Sequence, residues 1–306
     1  EIYTLSLHDA LPIYYRSAVE IHPDFDRRLP VVDPDDRELF VSLGCAAENL
    51  CLAAQNIGYE SSVAVGDTGV IAVALTEGVD VKSSPLFEQI DLRQTNRSIY
   101  TGEEIALDAL KRLQAIRSED GVSVHYYARQ TKQFNDIEQY VLRGNTHQMQ
   151  NEAFKAELKS WMRFNKKHQD QTLDGLSYAV FGAPNVPRWI AKPIMSMAIN
   201  AKTQNKADRE KIASASHLVL FTTRENSRRE WVNLGRTLQR FLLAATELGI
   251  AHAYLNQPNE QPEIAAEMTK TLDLDGEYPT VLLRVGYGEQ QAYSRRRPIG
   301  DVIAAD

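Results

Sequence analysis

Two basic clusters are the strongest chemical features of the sequence. Arg93-Gln-Thr-Asn-Arg97 places two guanidinium groups and a hydroxyl at alternate positions. Alternate side chains of an extended segment share one side, so Arg93, Thr95 and Arg97 would converge. Forked guanidinium donors beside a hydroxyl suit a phosphate. The second cluster, Ser294-Arg-Arg-Arg-Pro298, follows the last apolar stretch. Each cluster taken alone reads first as a solvated charged turn, and an Arg-rich tail can be disordered. Other machinery is missing from the sequence: no P-loop, no Gly-x-Ser-x-Gly elbow and no His-Glu-x-x-His. Gly286-Tyr-Gly288 follows a strand but lacks the third glycine and the helix of a dinucleotide fingerprint. The seven histidines are scattered, and His217, at the head of an apolar strand, reads as structural.

The elements that must position these groups follow from hydrophobic pattern and caps. Asp33-Pro34-Asp35-Asp36 is a turn and helix start, with acids suited to the helix dipole. Leu39 to Ile57 reads as a helix apolar nearly all round, hence central, and closed by Gly58. Strands are expected at Tyr14–His22, Val70–Leu75, Val122–Tyr127, His217–Phe221 and Thr280–Val285. Further helices are expected from Gly102, over Ile137–Met149, Glu152–Met162, Asp208–Ala215 and Glu230–Leu248, with Gly182–Pro193 as an ordered loop. Helices and strands mix without a strict βαβ rhythm, which predicts an α+β sandwich.

The sequence also repeats. Residues 39–58 lie without gaps on residues 230–249, matching Val41 with Val232, Leu43 with Leu234, Gly44 with Gly235 and Gly58 with Gly249. Glycine inside a helix costs propensity, and its usual return is close approach of another helix. The two copies are therefore expected to pack across a pseudo-twofold axis. The strands that follow, Ile71–Gly78 and Val281–Gly288, correspond as well.

Composition narrows the function classes. The protein has 306 residues and a formal net charge of −7, which argues against nucleic acid as the main partner. It has no apolar run long enough for a membrane span and no secretory leader pattern. Its two cysteines, Cys45 and Cys51, form no Cys-x-x-Cys pair and fit a reducing, cytoplasmic compartment. Residues 1–13 match the in-frame translation of a sequencing adapter and are set aside as an artefactual segment. The segment native to the position before Tyr14 is then expected to be missing.

The order and spacing of several motifs carry a family resemblance. Arg93-x-Thr95-x-Arg97-Ser-Ile-Tyr resembles the Arg-x-Ser-x-Arg opening of nitroreductase domains. Ala213–Phe221 resembles their central strand. Leu238–Gly249 with Ala251–Gln257 resembles their long dimer helix and flavin-facing turn, and Val285–Gly288 with Arg295–Pro298 their ending. From Tyr14 onward the sequence looks closest to the Acg-like branch, in which a single polypeptide holds two nitroreductase-type halves.

The resemblance implies an α+β nitroreductase-like sandwich with a truncated first half, 14–88, and a second half, 89–306, that carries the phosphate site. It implies FMN as cofactor. Arg93, Thr95 and Arg97 would hold the phosphate, with Arg97 also reaching the ring's pyrimidine edge, and Arg295 and Arg296 would close from the C-terminal side. Lys211 would sit near the flavin O2/N1 edge. Asp208 stands where the family has Asn. Asn256 and Gln257 would approach N5. The branch's Ala-Pro-Ser-x-x-Asn-x-Gln-Pro-Trp stretch is missing ahead of Tyr14, and the first half ends in Lys82-Ser-Ser-Pro-Leu rather than an Arg cluster, so one flavin site is expected. The implied function is hydride transfer from NAD(P)H through flavin to a nitroaromatic, quinone or similar acceptor, in a monomeric intramolecular pseudo-dimer. The alternative is flavin sequestration under a lid, for which Trp161–Pro193 is the candidate.

Overall fold

Asp33 starts the first long helix: its carboxylate accepts the backbone N–H groups of Glu38 and Leu39 at 3.0 and 3.2 Å, satisfying donors that a helix start leaves open. The structure, a computed structural model, describes residues 10–15, 17–181 and 184–303. Residues 1–9 of the segment set aside above lie outside the described residues. Strands β1 (Ala10–Tyr15) and β2 (Ala18–Pro23) form a hairpin, followed by α1 (Arg37–Asn56), β3 (Tyr59–Val65) and β4 (Ile71–Glu77). They make an antiparallel sheet in the order β1-β2-β4-β3. The single strand expected over Tyr14–His22 is therefore two, with Tyr15 paired to Ala18. Ala10–Ile13, the end of the segment set aside, pair with Glu20–Pro23 and cover a sheet edge that would otherwise be open.

The remaining sequence adds α2 (Leu107–Gln114), β5 (Val122–Ala128), α3 (Lys132–Gln150) and α4 (Glu152–Trp161). Then come β6 (Met162–Arg163), α5 (Lys166–Thr172), β7 (Leu176–Ser177), α6 (Arg188–Ala198) and α7 (Ala201–Ala213). It ends with β8 (His217–Thr223), α8 (Arg228–Glu247), β9 (Ala251–Tyr254), α9 (Pro262–Thr271) and β10 (Tyr278–Gly286). The second sheet is antiparallel in the order β5-β8-β10-β9. Its plan repeats that of the first: α1 links β2 to the edge strand β3, as α8 links β8 to the edge strand β9. The fold is α+β, as expected.

Both faces of the second sheet are buried, which explains the unbroken apolar run of β8. Val219 and Phe221 face the helix pair α1/α8 in one core that also takes in Ile21, Ile71 and Val73 of the first sheet. Leu218 and Leu220 face a second core with Phe134 and Ile137 of α3, Ile212 of α7 and Met268 of α9. Two expectations fail locally. The loop expected over Gly182–Pro193 gives way from Arg188 to α6, which carries Pro193 inside it. The helix expected from Gly102 starts only at Leu107, because residues 101–106 are tied down elsewhere: Thr101 N–H donates to Tyr287 C=O at 2.8 Å and Ile105 N–H to Ser216 Oγ at 2.9 Å.

Helices α1 and α8 meet through backbone. A Cβ on Gly44 would lie 2.2 Å from Val232 O and 2.9 Å from Gly235 Cα. A Cβ on Gly235 would lie 2.1 Å from Val41 O and 2.9 Å from Gly44 Cα. The contact is reciprocal, and each residue meets its own counterpart in the repeat. Phe40 and Trp231, another counterpart pair, lie with ring centroids 6.3 Å apart. Beyond the crossing, Glu48 accepts from Arg236 at 3.1 Å and from Arg240 at 2.6 Å, so buried charges are paired across the same seam.

A methyl group at the crossing must push backbone from backbone. Gly235→Ala is expected to lower unfolding stability by about 2 kcal/mol despite alanine's better helix propensity. Urea unfolding with an unshifted midpoint would show that the helices have room to part.

Candidate functional site

Residues 90–101 form a strap laid along the free edge of the second sheet. Asn96 N–H donates to His252 C=O on β9 at 2.8 Å, adding one sheet-like bond outside the edge strand. The Asn96 amide locks the turn: Oδ1 accepts Ser98 N–H and Oγ–H at 3.0 and 2.7 Å, while Nδ2 donates to Glu289 C=O at 2.7 Å. Beneath the strap lies Arg284, in the middle of β10 and 1% exposed. It donates to Asn96 C=O at 3.2 Å and Ser98 C=O at 2.8 Å, and its guanidinium lies 4.0 Å from the Tyr100 ring centroid. Gly286 and Gly288 leave the gap that this ring fills: a Cβ on either would sit 2.9 Å from it. The Gly-Tyr-Gly pattern thus serves packing.

The strap is also laced to the C-terminal tail. Gln291 N–H donates to Gln94 Oε1 at 2.6 Å, and Tyr293 O–H donates to Leu92 C=O at 3.0 Å. These bonds carry the C-terminal arginines back to the first basic cluster. Arg93 is buried, whereas Arg296 lies exposed on the tail; partial desolvation and the nearby charge of Arg93 pull the Arg296 pKa down, against Asp91. Two guanidinium groups, one buried and one exposed, therefore oppose each other at the edge of the protein, an arrangement that favours an anion. Arg93 also acts on Cys45, although burial wins there and pushes the thiol up to about 12. Thr95 and Arg97 are half-buried in the strap. Arg295 turns outward instead and lies 3.4 Å from Asp170 of α5.

A second group is built where α7 meets the turn after β9. Asp208 Oδ2 accepts from Asn145 at 2.9 Å, Gln204 at 3.0 Å and Gln257 at 3.4 Å, and Lys211 Nζ lies 3.7 Å from Oδ1. The turn itself, Leu255–Asn259, is buried. Asn256 is fully engaged inside the protein: Oδ1 accepts Leu282 N–H at 2.9 Å and Nδ2 donates to Glu38 at 3.2 Å. Gln257 Oε1 and both amide atoms of Asn259 are buried with no hydrogen-bond partner among the described residues. Glu38 reaches this turn from α1. Burial, then Glu260 and Asp33, push its carboxyl well above the ordinary range, against the pull of Arg37.

The segment expected as a lid is tied to the rest of the molecule by ion pairs. Asp174 joins Arg163 at 2.7 Å and Arg27, from the first sheet's side, also at 2.7 Å. A cleft lined by Asn165, Lys166, Asp170 and Asn185 opens beside the Arg295–Asp170 pair.

A family model described as the nitroreductase family matches residues 90–287, well over half of the sequence. The chain belongs to the nitroreductase family. Several solved nitroreductase-type structures are similar to it. The FMN-bound nitroreductase of Bacteroides fragilis is 14% identical, aligns over 73% of this protein and 100% of its own length, and gives a TM-score of 0.44. The FMN-dependent nitroreductase NfnB of Mycobacterium smegmatis, in complex with NADPH, is 13% identical over 72% of this protein and 96% of its own length, with a TM-score of 0.47. The NADPH:FMN oxidoreductase of Vibrio harveyi, complexed with NAD+, is 13% identical over 73% and 77%, with a TM-score of 0.43. No curated protein matches the sequence.

Within this family member the expected site residues fall into two groups and one outlier. Arg93 and Arg296 come together with Thr95 and Arg97 on the strap; Asp208, Lys211 and Gln257 form the second group with Asn256 behind them; Arg295 stands apart on Asp170. Sequence reading missed Asn96, Arg284 and Glu38. A lone arginine inside Val281–Val285 was the available signal for Arg284, since a charge in a core strand demands partners.

Glu38 gives this protein a testable pH dependence. Its folded pKa is raised, so its contribution to stability is fully present below the ordinary glutamate value near 4.5 and is lost as pH rises through the folded value. Glu38→Gln, which keeps an acceptor for Asn256, is expected to raise the thermal midpoint at pH 7.5 and leave it unchanged at pH 4. A midpoint that drops at pH 7.5 would mean that the charge itself is needed.

Proposed function

We propose that this protein is an FMN-dependent oxidoreductase that takes hydride from a reduced nicotinamide nucleotide and delivers it to a nitroaromatic, quinone or similar small acceptor. One observation carries the reading: the strap and tail are laced so that the exposed Arg296 comes to the buried Arg93 at the protein surface. A phosphate between them would offset both their mutual repulsion and the lost hydration of Arg93. Arg97 and Thr95 extend that cradle along the strap, while Arg295 would have to leave Asp170 to join it. The second group suits the edge of a heterocycle. Gln257 offers a buried amide oxygen to a ring N–H, and Lys211 offers a cation to an anionic reduced ring. Asn256 acts through its backbone, because Glu38 and Leu282 hold its amide. Hydride transfer is the chemistry that bound FMN supplies; the residues here bind, orient and exclude water.

The protein is further proposed to contain two nitroreductase-like halves, 14–88 and 89–306, joined as an intramolecular pseudo-dimer that stays monomeric. The shared strand order and the self-counterpart contacts of α1 with α8 support this organisation. A cytoplasmic location is proposed from the two free, buried thiols; among the described residues no helix is long and apolar enough to cross a membrane. A second reading, FMN sequestration, is favoured by the ion pairs that pin residues 161–177 at Asp174 and Asp170.

Flavin titration separates these ideas. Each charge-assisted contact to phosphate contributes about 1.5–3 kcal/mol, so Arg296→Ala is expected to weaken FMN at least about tenfold in a fluorescence titration. Unchanged affinity would leave the C-terminal arginines a solvated tail. NADPH oxidation with a nitroaromatic acceptor then decides between the readings: turnover supports the reductase, and tight FMN binding without turnover supports sequestration.

A further inference from the structure

The strap places a histidine that neither basic cluster contains beside the phosphate cradle. His252 on β9 is 1% exposed, and neither ring nitrogen has a hydrogen-bond partner among the described residues. Its backbone carbonyl accepts from Asn96, the residue between Thr95 and Arg97. In the sheet His252 pairs with Val285, and Tyr254 pairs with Leu283. Tyr254, Leu283 and Val285 all belong to the core around α1 and α8, so the imidazole points into the helix layer. Arg93 lies near enough for its charge to act on both Cys45 of α1 and His252.

We propose that His252 is a phosphate-binding residue, its ring N–H donating to the anion held by Arg93 and Arg296. A neutral imidazole carries one N–H donor and one acceptor, and a fully buried donor without a partner is rare in folded proteins. Burial, then Arg93, press its pKa down to about 3, so at neutral pH the ring donates as an uncharged group. That suits the place: a third cation, itself fully buried, beside the guanidinium groups of Arg93 and Arg296 would be costly, whereas a neutral N–H adds a directed bond without adding charge. His252 would thus fix the orientation of a phosphate that the arginines attract. The inference rests on the flavin reading only for the identity of the phosphate's carrier.

His252→Leu keeps an apolar body and removes the donor; His252→Gln keeps an N–H. Both variants are titrated with FMN and with riboflavin, which lacks the phosphate, and their thermal shift with inorganic phosphate is recorded. The expected result is FMN weakened about tenfold in His252→Leu, riboflavin unchanged, the phosphate-induced shift lost, and partial recovery of both phosphate responses in His252→Gln. Equal weakening of FMN and riboflavin, or no weakening of either, overturns the proposal and leaves His252 a packing residue. If the wild-type protein responds to inorganic phosphate and His252→Leu does not, while FMN fails to bind at all, the cofactor reading falls and the histidine proposal stands. A wild-type protein that responds to neither FMN nor phosphate overturns both.

Discussion

Backbone touching backbone where α1 crosses α8 is the constraint on which the molecule is built. Only glycine at positions 44 and 235 lets Val41 and Val232 bring their carbonyls so near the opposite helix. Once the helices are that close, the two sheets can share one core, with Ile71 and Val73 on one side and Phe221 and Leu283 on the other. The same approach carries the start of α1 to the turn after β9, where Glu38 holds the Asn256 amide. A site that draws on both ends of the sequence thus depends on two missing methyl groups at a helix crossing.

The strap shows how a charged cradle can be set up without placing every charge in water. Arg284 is as buried as any core leucine, yet its charge is engaged by two strap carbonyls and the face of Tyr100. Hydrogen bonds of this kind, made by an ion to groups that would otherwise be orphaned, are stronger than neutral ones. They fix the backbone of residues 96–100, and the lacing of Gln94 and Leu92 to the tail fixes the rest. Arg93 and Arg296 are consequently held near one another by bonds that involve neither guanidinium.

Several of these features were written plainly in the sequence. Helix α1 was legible because its apolar residues run nearly all round, and β8 because its middle, Leu218 to Phe221, is buried on both faces and unbroken by polar residues. The repeat disclosed the crossing, since two mid-helix glycines at matching positions have few other uses. Elsewhere local signals misled. Strand β3 went unseen because an edge strand that exposes Ser61 and Ser62 has no alternation to detect. The first turns of α7, from Ala201 to Lys206, are polar and present no apolar stripe. Helix α6 was hidden by Pro193, a residue that ordinarily interrupts helices. The meeting of Arg93 with Arg296 could be expected only through family resemblance, and its cause, the lacing by Gln94, Asn96 and Tyr293, has no signature in spacing or composition.

The seam between α1 and α8 lies within a single polypeptide, and that has a consequence for how the molecule behaves over time. An interface between separate subunits empties on dilution, whereas one closed within a polypeptide keeps a high effective concentration of its two faces at any dilution. The two sides are also free of the rule that a change on one must appear on the other. Arg236 and Arg240 can lie across from Glu48 without an acid-for-base copy of the same pairing elsewhere. Such a molecule can let one side specialise in holding a ligand while the other drifts toward pure scaffolding, and it can do so by single substitutions, each tested by selection on its own.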